Sequence, residues 1–229
     1  MKIAGFDKLS LLNYPDLVSC TIFTCGCNFC CPYCQNSKLV VNTKETELID
    51  ENEVLDYLNQ RKKLLDGVCI TGGEPTIQKD LYSFIEKIKK LGLKVKLDTN
   101  GSNPKVIKEL LDNKLIDYIA MDVKTSFDKY NLITNREVDL LDIAESIKLI
   151  KESNIDYEFR TTVVKGFVTY QDLVSILDYL GCSNYYLQKF EDRESNIVYH
   201  LDSYTDKELK DIYNELKENY SYIKIRGVK

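Results

Sequence analysis

Three cysteines near the start of the chain have the spacing of a metal-binding loop. Six of the 8 cysteines lie between residues 20 and 34, and Cys27, Cys31 and Cys34 form a C-x3-C-x2-C pattern. Three thiolates on one short loop can bind three irons of a cubane cluster and leave the fourth iron without a protein ligand. Electron-transfer clusters are generally held by four cysteines, whereas an open coordination position marks a catalytic metal. The spacing therefore predicts a catalytic [4Fe-4S] cluster on these residues.

Zinc binding and plain buried thiols are the alternatives to a cluster. A structural zinc site would need paired C-x2-C units in two places, but Cys69 and Cys182 stand alone and the only histidine is distant in sequence. Cys20 alternates with apolar residues and fits a core position, while Cys25 and Cys30 fit either a packed or an exposed position. Any of these three could replace a member of the triad, so the ligand set is a hypothesis.

The elements that would position this loop alternate along the chain. Short apolar, β-branched runs predict strands at Val18–Thr24, Val68–Thr71, Lys94–Asp98, Tyr118–Val123, Tyr157–Val164 and Tyr185–Phe190, with a terminal strand at Tyr222–Arg226. Amphipathic segments between them predict helices at about Glu51–Leu65, Asp80–Leu91, Pro104–Asn113, Leu140–Ser153, Gln171–Leu180 and Asp206–Glu218. Strands and helices in alternation indicate parallel strands joined by helical crossovers.

Polar motifs follow the predicted strands and favour a barrel over an open doubly wound sheet. The cysteines follow the first strand, and the next three strands are followed by Gly72-Gly73-Glu74, Asp98-Thr99-Asn100 and Asp122-Val123-Lys124, while Arg160 lies in the fifth. Barrel enzymes build their active sites at this carboxyl rim. We therefore predict an α/β fold, a partial (β/α)6 TIM-like barrel of parallel strands. No linker or low-complexity stretch divides the chain, so one domain is expected over residues 1–229.

The charge and hydropathy of the chain argue against several functions. A net charge of −5, with acidic and basic residues interspersed, is unfavourable for nucleic-acid binding. No segment approaches the roughly 18 consecutive apolar residues of a membrane span, so no membrane partner is expected. The first residues lack the apolar region and cleavage site of a signal peptide, which favours the cytoplasm. In that reducing compartment, clustered cysteines are more often metal ligands or redox groups than disulfides.

Each rim motif also has a simple structural interpretation. A Gly-Gly pair commonly marks a turn, although beside three cysteines it would also let the backbone approach a ligand closely. Asp122 and Lys124 lie two residues apart and would share one side of a strand, where opposite charges must pair with each other or bind a ligand. Arg160 either neutralises a carboxylate or pairs with Asp122, and Asp98 could equally cap its loop.

The loop sequence "GCNFCCPYCQN" resembles the cluster motif of radical S-adenosylmethionine (SAM) enzymes, in which an aromatic residue precedes the last cysteine. More narrowly, the chain resembles activating enzymes of glycyl radical enzymes, most closely the branch that activates anaerobic ribonucleoside-triphosphate reductase. The similar segments, in the family's order, are "NYPDLVSCTIFTCGCNFCCPYCQN", "ITGGEPTIQKDL", "VKLDTNGSNP", "IAMDVKTSFDKY" and "EFRTTVV". Pyruvate formate-lyase activating relatives carry a histidine after the sixth strand; here "LQKFEDR" offers Gln188 and Phe190, which favours the ribonucleotide reductase branch.

The resemblance implies the radical SAM fold, with a [4Fe-4S] cluster on the three cysteines and SAM on its open iron. It implies that Gly72-Gly73-Glu74 holds the amino group of SAM, that Lys124 lies near its carboxylate or ribose, and that Tyr33 offers its ring to adenine. Related activating enzymes bind a monovalent cation at the positions of Asp98 and Thr99, which is a further expectation. The implied cofactor-binding set is Tyr33, Gln35, Gly72, Gly73, Glu74, Asp98, Asp122, Lys124 and Arg160.

The function implied by the resemblance is reductive cleavage of SAM. A flavodoxin or ferredoxin would supply an electron, and the resulting 5′-deoxyadenosyl radical would take a hydrogen atom from a backbone glycine of a partner. That partner would be a glycyl radical enzyme, with anaerobic ribonucleotide reductase as the first expectation. Two alternatives stay open: a radical SAM enzyme acting on a small molecule, such as a 7-carboxy-7-deazaguanine synthase, and a non-catalytic iron–sulfur electron-transfer module.

Overall fold

The strands form one sheet in which neighbours in sequence are neighbours in space. The computed structural model describes residues 1–41, 43–181 and 184–229, so Cys182 lies outside the described residues. Within them, the sheet has eight strands: β1 (Ile3–Ser10), β2 (Ser19–Thr24), β3 (Gly67–Gly72), β4 (Lys94–Thr99), β5 (Tyr118–Asp122), β6 (Asp156–Val163), β7 (Tyr185–Lys189) and β8 (Ile223–Arg226). β1 is antiparallel to β2, and every later pair of neighbours is parallel.

Helices connect the strands and bury apolar faces against the sheet. They are α1 (Ser37–Val40), α2 (Glu51–Arg61), α3 (Leu81–Lys90), α4 (Pro104–Asp112), α5 (Tyr130–Thr134), α6 (Leu140–Glu152), α7 (Tyr170–Leu180) and α8 (Asp206–Asn219), with 3₁₀ turns at Pro75–Ile77 and Phe127–Lys129. A doubly wound sheet reverses its strand order at a switch point, but here the order runs in one direction from β2 to β8. The predicted α/β fold with a partial barrel of parallel strands is confirmed. In the parts of the chain that the structure describes, no helix is long and apolar enough to cross a membrane.

The two faces of the parallel strands differ in chemistry. Side chains alternate along a strand, so β4 directs the fully buried Val95 and Leu97 towards the helices and Lys96 and Asp98 towards the enclosed side of the sheet. The same alternation in β6 places Phe159 in the core. The inner side of the partial barrel is therefore polar, which an ordinary apolar core would not tolerate unless each charge were paired.

Most predicted elements lie where the sequence placed them, and the predicted terminal strand is β8, which adds a seventh parallel strand. β1 was not predicted; it is an antiparallel edge strand whose central residues are partly or fully exposed, so its apolar pattern is weak. The short helices α1 and α5 also escaped prediction. Helix α2 ends at Arg61, earlier than expected, because the chain turns before Leu65 to enter β3.

Candidate active site

A cavity of about 730 Å³ lies on the inner side of the sheet and opens at the carboxyl ends of the parallel strands. Every residue that the sequence proposed as a ligand or cofactor contact lines it: Cys27, Cys31, Tyr33, Cys34, Gln35, Gly72, Gly73, Glu74, Asp98, Asp122, Lys124 and Arg160. Thr99 lines it as well. The fold thus gathers segments that are far apart in sequence, although the role of each residue stays a prediction.

The loop after β2 that carries the cysteines, residues 25–36, is held by several elements. The N–H of Cys25 donates to the carbonyl of Lys2 at 3.0 Å, and the N–H of Cys30 donates to the carbonyl of Thr134 in α5 at 2.8 Å. The rings of Phe29 and Tyr130 meet edge to face, with centroids 6.5 Å apart. A loop fixed in this way presents its thiols in one arrangement, as a site for a preformed cluster requires.

Burial holds the three thiols of the triad in their protonated form. Burial raises the pKa of Cys27 to about 12 and that of Cys31 to about 11, and it also raises the pKa of Cys34. Bound iron would have to displace these protons, as a coordinating metal does. The Phe29 N–H donates to Cys27 Sγ at 3.4 Å, the type of contact that tunes cluster sulfurs.

The remaining cysteines of this region lie apart from the cavity. Cys20 is fully buried in β2 and belongs to the apolar core, as expected. Cys25 is buried with its Sγ 3.9 Å from the carbonyl of Thr43, and Cys30 is partly buried. Among the described residues, no three His, Cys, Asp or Glu side chains converge on a point for one metal ion.

The Gly-Gly pair lets two backbone segments meet. A Cβ on Gly73 would lie 1.9 Å from the carbonyl oxygen of Gly26, and one on Gly72 would lie 2.2 Å from the backbone nitrogen of Thr24. The N–H of Glu74 donates to that same Gly26 carbonyl at 2.8 Å. No side chain larger than hydrogen fits at Gly73 without moving the cysteine loop.

The carboxylate of Glu74 is buried and ties the end of β3 to the end of β4. Its Oε1 accepts hydrogen bonds from the N–H and hydroxyl of Thr76, at 3.0 and 2.7 Å, and from the hydroxyl of Thr99 at 2.7 Å. Its Oε2 accepts from the N–H of Asn100 at 2.7 Å. Burial raises the pKa of Glu74, and these donors oppose that rise. Most of the hydrogen-bond acceptor sites of this carboxylate are thus used within the protein. Only Oε2 could accept a further hydrogen bond, for example from the amine of a ligand.

A second connection links the cysteine loop to the end of β4 and was not anticipated from sequence. The amide of Asn100 donates to Asn28 Oδ1 at 2.9 Å, and the amide of Asn28 donates to the hydroxyl of Ser102 at 2.7 Å. Asn28 directly follows Cys27. Paired amides at these positions give little sequence signal, because Asn is equally frequent in loops that have no such partner.

Five charged side chains form an alternating row, the charge ladder, along the inner ends of β4, β5 and β6: Lys96, Asp98, Arg160, Asp122 and Lys124. Arg160 bridges both carboxylates, with Nη2 3.1 Å from Asp98 and Nε 2.5 Å from Asp122. Lys96 binds Asp98 at one end, and Lys124 lies 3.0 Å from Asp122 at the other. Three cations alternate with two anions, so the ladder carries a net positive charge.

The ladder holds Asp98, Asp122, Lys124 and Arg160 in their charged forms. Burial alone would raise the pKa of Asp122 and Asp98, but the charges of Arg160 and of the neighbouring lysines hold both below their ordinary value. Burial would lower the pKa of Lys124 and Arg160, but the charge of Asp122 raises the pKa of both well above its ordinary value. A row of fixed charges in a cavity is suited to a zwitterionic ligand.

The expected monovalent cation does not fit at Asp98 and Thr99. The Asp98 carboxylate is already bound by Lys96 and Arg160, and the Thr99 hydroxyl donates to Glu74 and accepts from the N–H of Gly101 at 3.1 Å. A metal ion there would have to displace side chains that already carry positive charge.

Tyr33 is part of the cavity wall. Its ring is 5% exposed and packs edge to face on Phe167 and Phe190, with centroid distances of 6.2 and 6.3 Å. Its hydroxyl is buried without a hydrogen-bond partner among the described residues. The ring therefore covers the cysteine loop and presents little of its face to a ligand.

Known proteins resemble this chain in both sequence and fold. Residues 21–180 match the Radical SAM superfamily. Two proteins of Methanocaldococcus jannaschii, each named "putative glycyl-radical enzyme activating enzyme", are 39% identical over 84% of this chain and 81% of theirs, and 31% identical over 77% and 68%. A 7-carboxy-7-deazaguanine synthase of Thermoplasma acidophilum is 32% identical over 48% of this chain and 49% of its own.

Among solved structures, SuiB of Streptococcus suis bound to S-adenosylmethionine superposes with a TM-score of 0.69 at 17% identity, over 88% of this chain and 48% of that one. A structure of anSMEcpe with bound AdoMet gives a TM-score of 0.63 at 17% identity, over 87% of this chain and 60% of that one. This chain spans about half the length of SuiB, so the similarity concerns the fold alone.

Proposed function

We propose a function from one premise: this chain belongs to the radical SAM superfamily, whose members use a [4Fe-4S] cluster and S-adenosylmethionine. It is a glycyl-radical-enzyme activating enzyme that cleaves SAM reductively and generates a glycyl radical on a partner, anaerobic ribonucleoside-triphosphate reductase. The observation that carries the proposal is the 39% identity to a protein named "putative glycyl-radical enzyme activating enzyme", over 81% of that protein's length; the reductase as partner rests on the resemblance of the sequence motifs.

The cysteine loop holds the cluster in this proposal. Cys27, Cys31 and Cys34 are the thiols of this loop that line the cavity, and they would each bind one iron. When bound, the cluster supplies the electron that breaks the sulfonium bond of SAM and yields the 5′-deoxyadenosyl radical. A flavodoxin or ferredoxin is the source of that electron.

The ends of β3, β5 and β6 bind and orient SAM. Lys124 and Arg160 carry the positive charge that the methionyl carboxylate needs, and the backbone beside Gly73 with Oε2 of Glu74 receives the amine. The buried wall formed by Tyr33 excludes water from the reacting atoms, which suppresses side reactions of a radical.

A second candidate is a radical SAM enzyme that acts on a small molecule. The observation that favours it is the 32% identity to a 7-carboxy-7-deazaguanine synthase, but this extends over only 48% of the chain. The activator proposal accounts for more of the sequence.

The test is an anaerobic reaction of the reconstituted protein with SAM, dithionite or reduced flavodoxin, and the anaerobic ribonucleotide reductase of the same genome. We expect methionine, 5′-deoxyadenosine and a glycyl radical signal in electron paramagnetic resonance, because the radical needs its target held at near-attack distance. Deuterium placed at the target glycine should appear in 5′-deoxyadenosine. Cleavage of SAM stimulated by purine precursors, with no protein radical on any candidate partner, would replace this proposal with the second one.

A further inference from the structure

Lys96 is a buried cation on the inner side of the partial barrel. Its side chain is 3% exposed and binds Asp98, which is 11% exposed and also bound by Arg160. Lys96 lines the same cavity as the cysteine triad. No role follows for it from the sequence motifs, since it precedes the conspicuous Asp98-Thr99-Asn100 segment.

The surroundings of Lys96 fit an ammonium group and not an alkali metal ion. An ammonium has three N–H donors, and Lys96 has three acceptors around Nζ: Asp98 Oδ1, Cys69 Sγ at 3.9 Å, and the face of Tyr118, whose centroid is 5.7 Å away. Hard cations prefer oxygen ligands. A thiol and a ring face are poor substitutes for them, whereas both accept an N–H.

The position of Lys96 affects how the guanidinium of Arg160 is divided between Asp98 and Asp122. Arg160 has one guanidinium and two close carboxylate partners, Asp98 and Asp122, with the buried Glu158 further away at 3.8 Å. With Lys96 neutralising Asp98, the guanidinium can bridge both acids and leave Asp122 aligned with Lys124. Without Lys96, Asp98 would keep Arg160 as its one remaining cation and would draw the guanidinium away from Asp122.

We infer that Lys96 is a built-in cation: its ammonium occupies the place beside Asp98 where a bound monovalent metal ion would otherwise sit, and it positions Arg160 and Lys124 for SAM. Binding of SAM by this protein therefore requires neither K⁺ nor Na⁺. The inference concerns the SAM site of the family and does not depend on which partner receives the radical.

The first measurement uses the unmodified protein with its reconstituted cluster. Calorimetric titration with SAM in K⁺, Na⁺ or choline chloride at equal ionic strength should give dissociation constants that agree within about twofold, a difference well below the 1.4 kcal/mol of a tenfold change. A loss of affinity of about tenfold or more in choline, restored by K⁺ or Na⁺, overturns the inference without the need for any variant.

The second measurement uses Lys96→Ala, which leaves a space beside a buried carboxylate. In choline it should bind SAM at least about tenfold more weakly, because Asp98 and Asp122 would compete for the guanidinium of Arg160 and a buried ion pair that loses a partner is strongly destabilised; K⁺ or methylammonium should recover much of the loss. Lys96→Met fills the space without a charge and should show no recovery. Lys94→Ala, on the exposed start of the same strand, is the matched control and should bind SAM like the parent.

Iron content is measured in every sample, so that loss of the cluster is separated from loss of SAM binding. Lys96→Ala that binds SAM like the parent in choline contradicts the inference. So does a loss of affinity that small cations fail to restore, because Lys96 would then be a packing residue. Neither result bears on the glycyl radical assay, so failure here and failure of the proposed function are distinguishable.

Discussion

At the scale of single residues, cysteines that are neighbours in sequence can differ in whether they line the cavity. Cys30 and Cys31 are adjacent, yet Cys31 lines the cavity and Cys30 does not. The backbone N–H of Cys30 is engaged by Thr134, which fixes the direction in which each side chain of the pair leaves the loop. Two adjacent thiols of one loop are therefore expected to differ completely in their effect on iron binding.

Cys31→Ala is expected to lose most of its iron, while Cys30→Ala keeps about four irons per chain, the content of a cubane cluster. Removing one thiolate leaves two ligands on the loop, which is too few to hold the cluster during desalting. Iron and sulfide analysis after anaerobic reconstitution measures the difference. Equal iron loss in both variants would show that the triad has been assigned wrongly.

Some of the residue chemistry was predictable from sequence and some was not. The cysteine spacing and the rim motifs identified residues that do meet in one cavity, because the carboxyl ends of parallel strands share an edge. Lys96 was missed although a signal existed: it alternates with the apolar Val95 and Leu97, and a lysine on the inward side of a strand needs a partner. The packing of Tyr33 could not be predicted, since it depends on Phe167 and Phe190, which belong to later segments of the chain.

At the scale of elements, the turn after β3 and the cysteine loop behave as one unit. They share backbone hydrogen bonds through Gly26 and leave no room for a Cβ at Gly73. The geometry of the proposed cluster ligands is thus set partly by a segment that contains no cysteine. This coupling explains why a glycine pair beside the cysteines matters even without touching a ligand.

Gly73→Ala is expected to retain clearly less iron and to bind SAM at least about tenfold more weakly, because relief of a backbone clash requires the loop to move. Gly92→Ala is the control: its left-handed backbone (φ +82) makes alanine unfavourable by about 1–2 kcal/mol, but an added Cβ meets nothing within 4 Å. Iron content and SAM calorimetry compare the two. A similar, small loss in both would mean that general destabilisation, and not the loop, is responsible.

Helix α7 gives a prediction for pH. Hydrogen bonds from Lys129, Thr169 and Ser126 outweigh the effect of burial and lower the pKa of Asp172 to about 2. A carboxyl whose pKa is depressed in the folded state stabilises the fold above its unfolded pKa of about 3.9, and this stabilisation is lost as the pH falls through about 2. Asp172 also closes the capping box of α7 with Thr169.

Asp172→Asn is therefore expected to lower the free energy of unfolding by about 1–2 kcal/mol at pH 7, and the difference from the parent should shrink as the pH approaches 2. Urea unfolding of the apoprotein at both pH values measures it, so that acid release of iron does not enter. Asp128→Asn, at an exposed position of the 3₁₀ turn Phe127–Lys129, controls for the loss of one negative charge. A difference between Asp172→Asn and the parent that is independent of pH would rule out the ionised carboxylate as its source.

The alternation of strands and helices could be predicted from the sequence, because the strands of a parallel sheet are buried on both faces and have to be apolar. Buried strands such as β5 are continuous apolar runs that stand out between charged helices. β1 gave no such signal, since β2 is the one strand it pairs with apart from a single bridge between Ile3 and Ile49, and it exposes much of its length. The antiparallel edge is therefore an element that only the three-dimensional structure reveals.

At the scale of the whole molecule, the sheet remains open because its ordered strands run from β1 to β8 without closing on themselves in the described residues. The cavity reaches both edges of the opening: Leu12 and Pro15, after β1, line it together with Arg226 and Gly227 at the end of β8. Leu12 is 90% exposed although it borders a functional cavity. Its neighbours Leu9 and Leu11 are also exposed, and a group of exposed leucines beside a polar cavity is suited to contact with a protein segment that enters from outside.

Leu12→Arg separates a macromolecular substrate from a small one. A charge at the mouth has to lose water when a loop of the partner protein enters, so glycyl radical formation should fall by about tenfold or more. Cleavage of SAM without a partner should stay within about twofold of the parent, because Leu12 is 90% exposed at the mouth of the cavity and takes part in none of the hydrogen bonds or ion pairs described for the cysteine loop and the charge ladder. Leu64→Arg, at another exposed leucine outside the cavity lining, should leave both activities unchanged. If Leu12→Arg and the parent activate the partner equally, the opening between β1 and β8 is not the entrance for the glycine, and the target must approach over the rim that carries the cysteines.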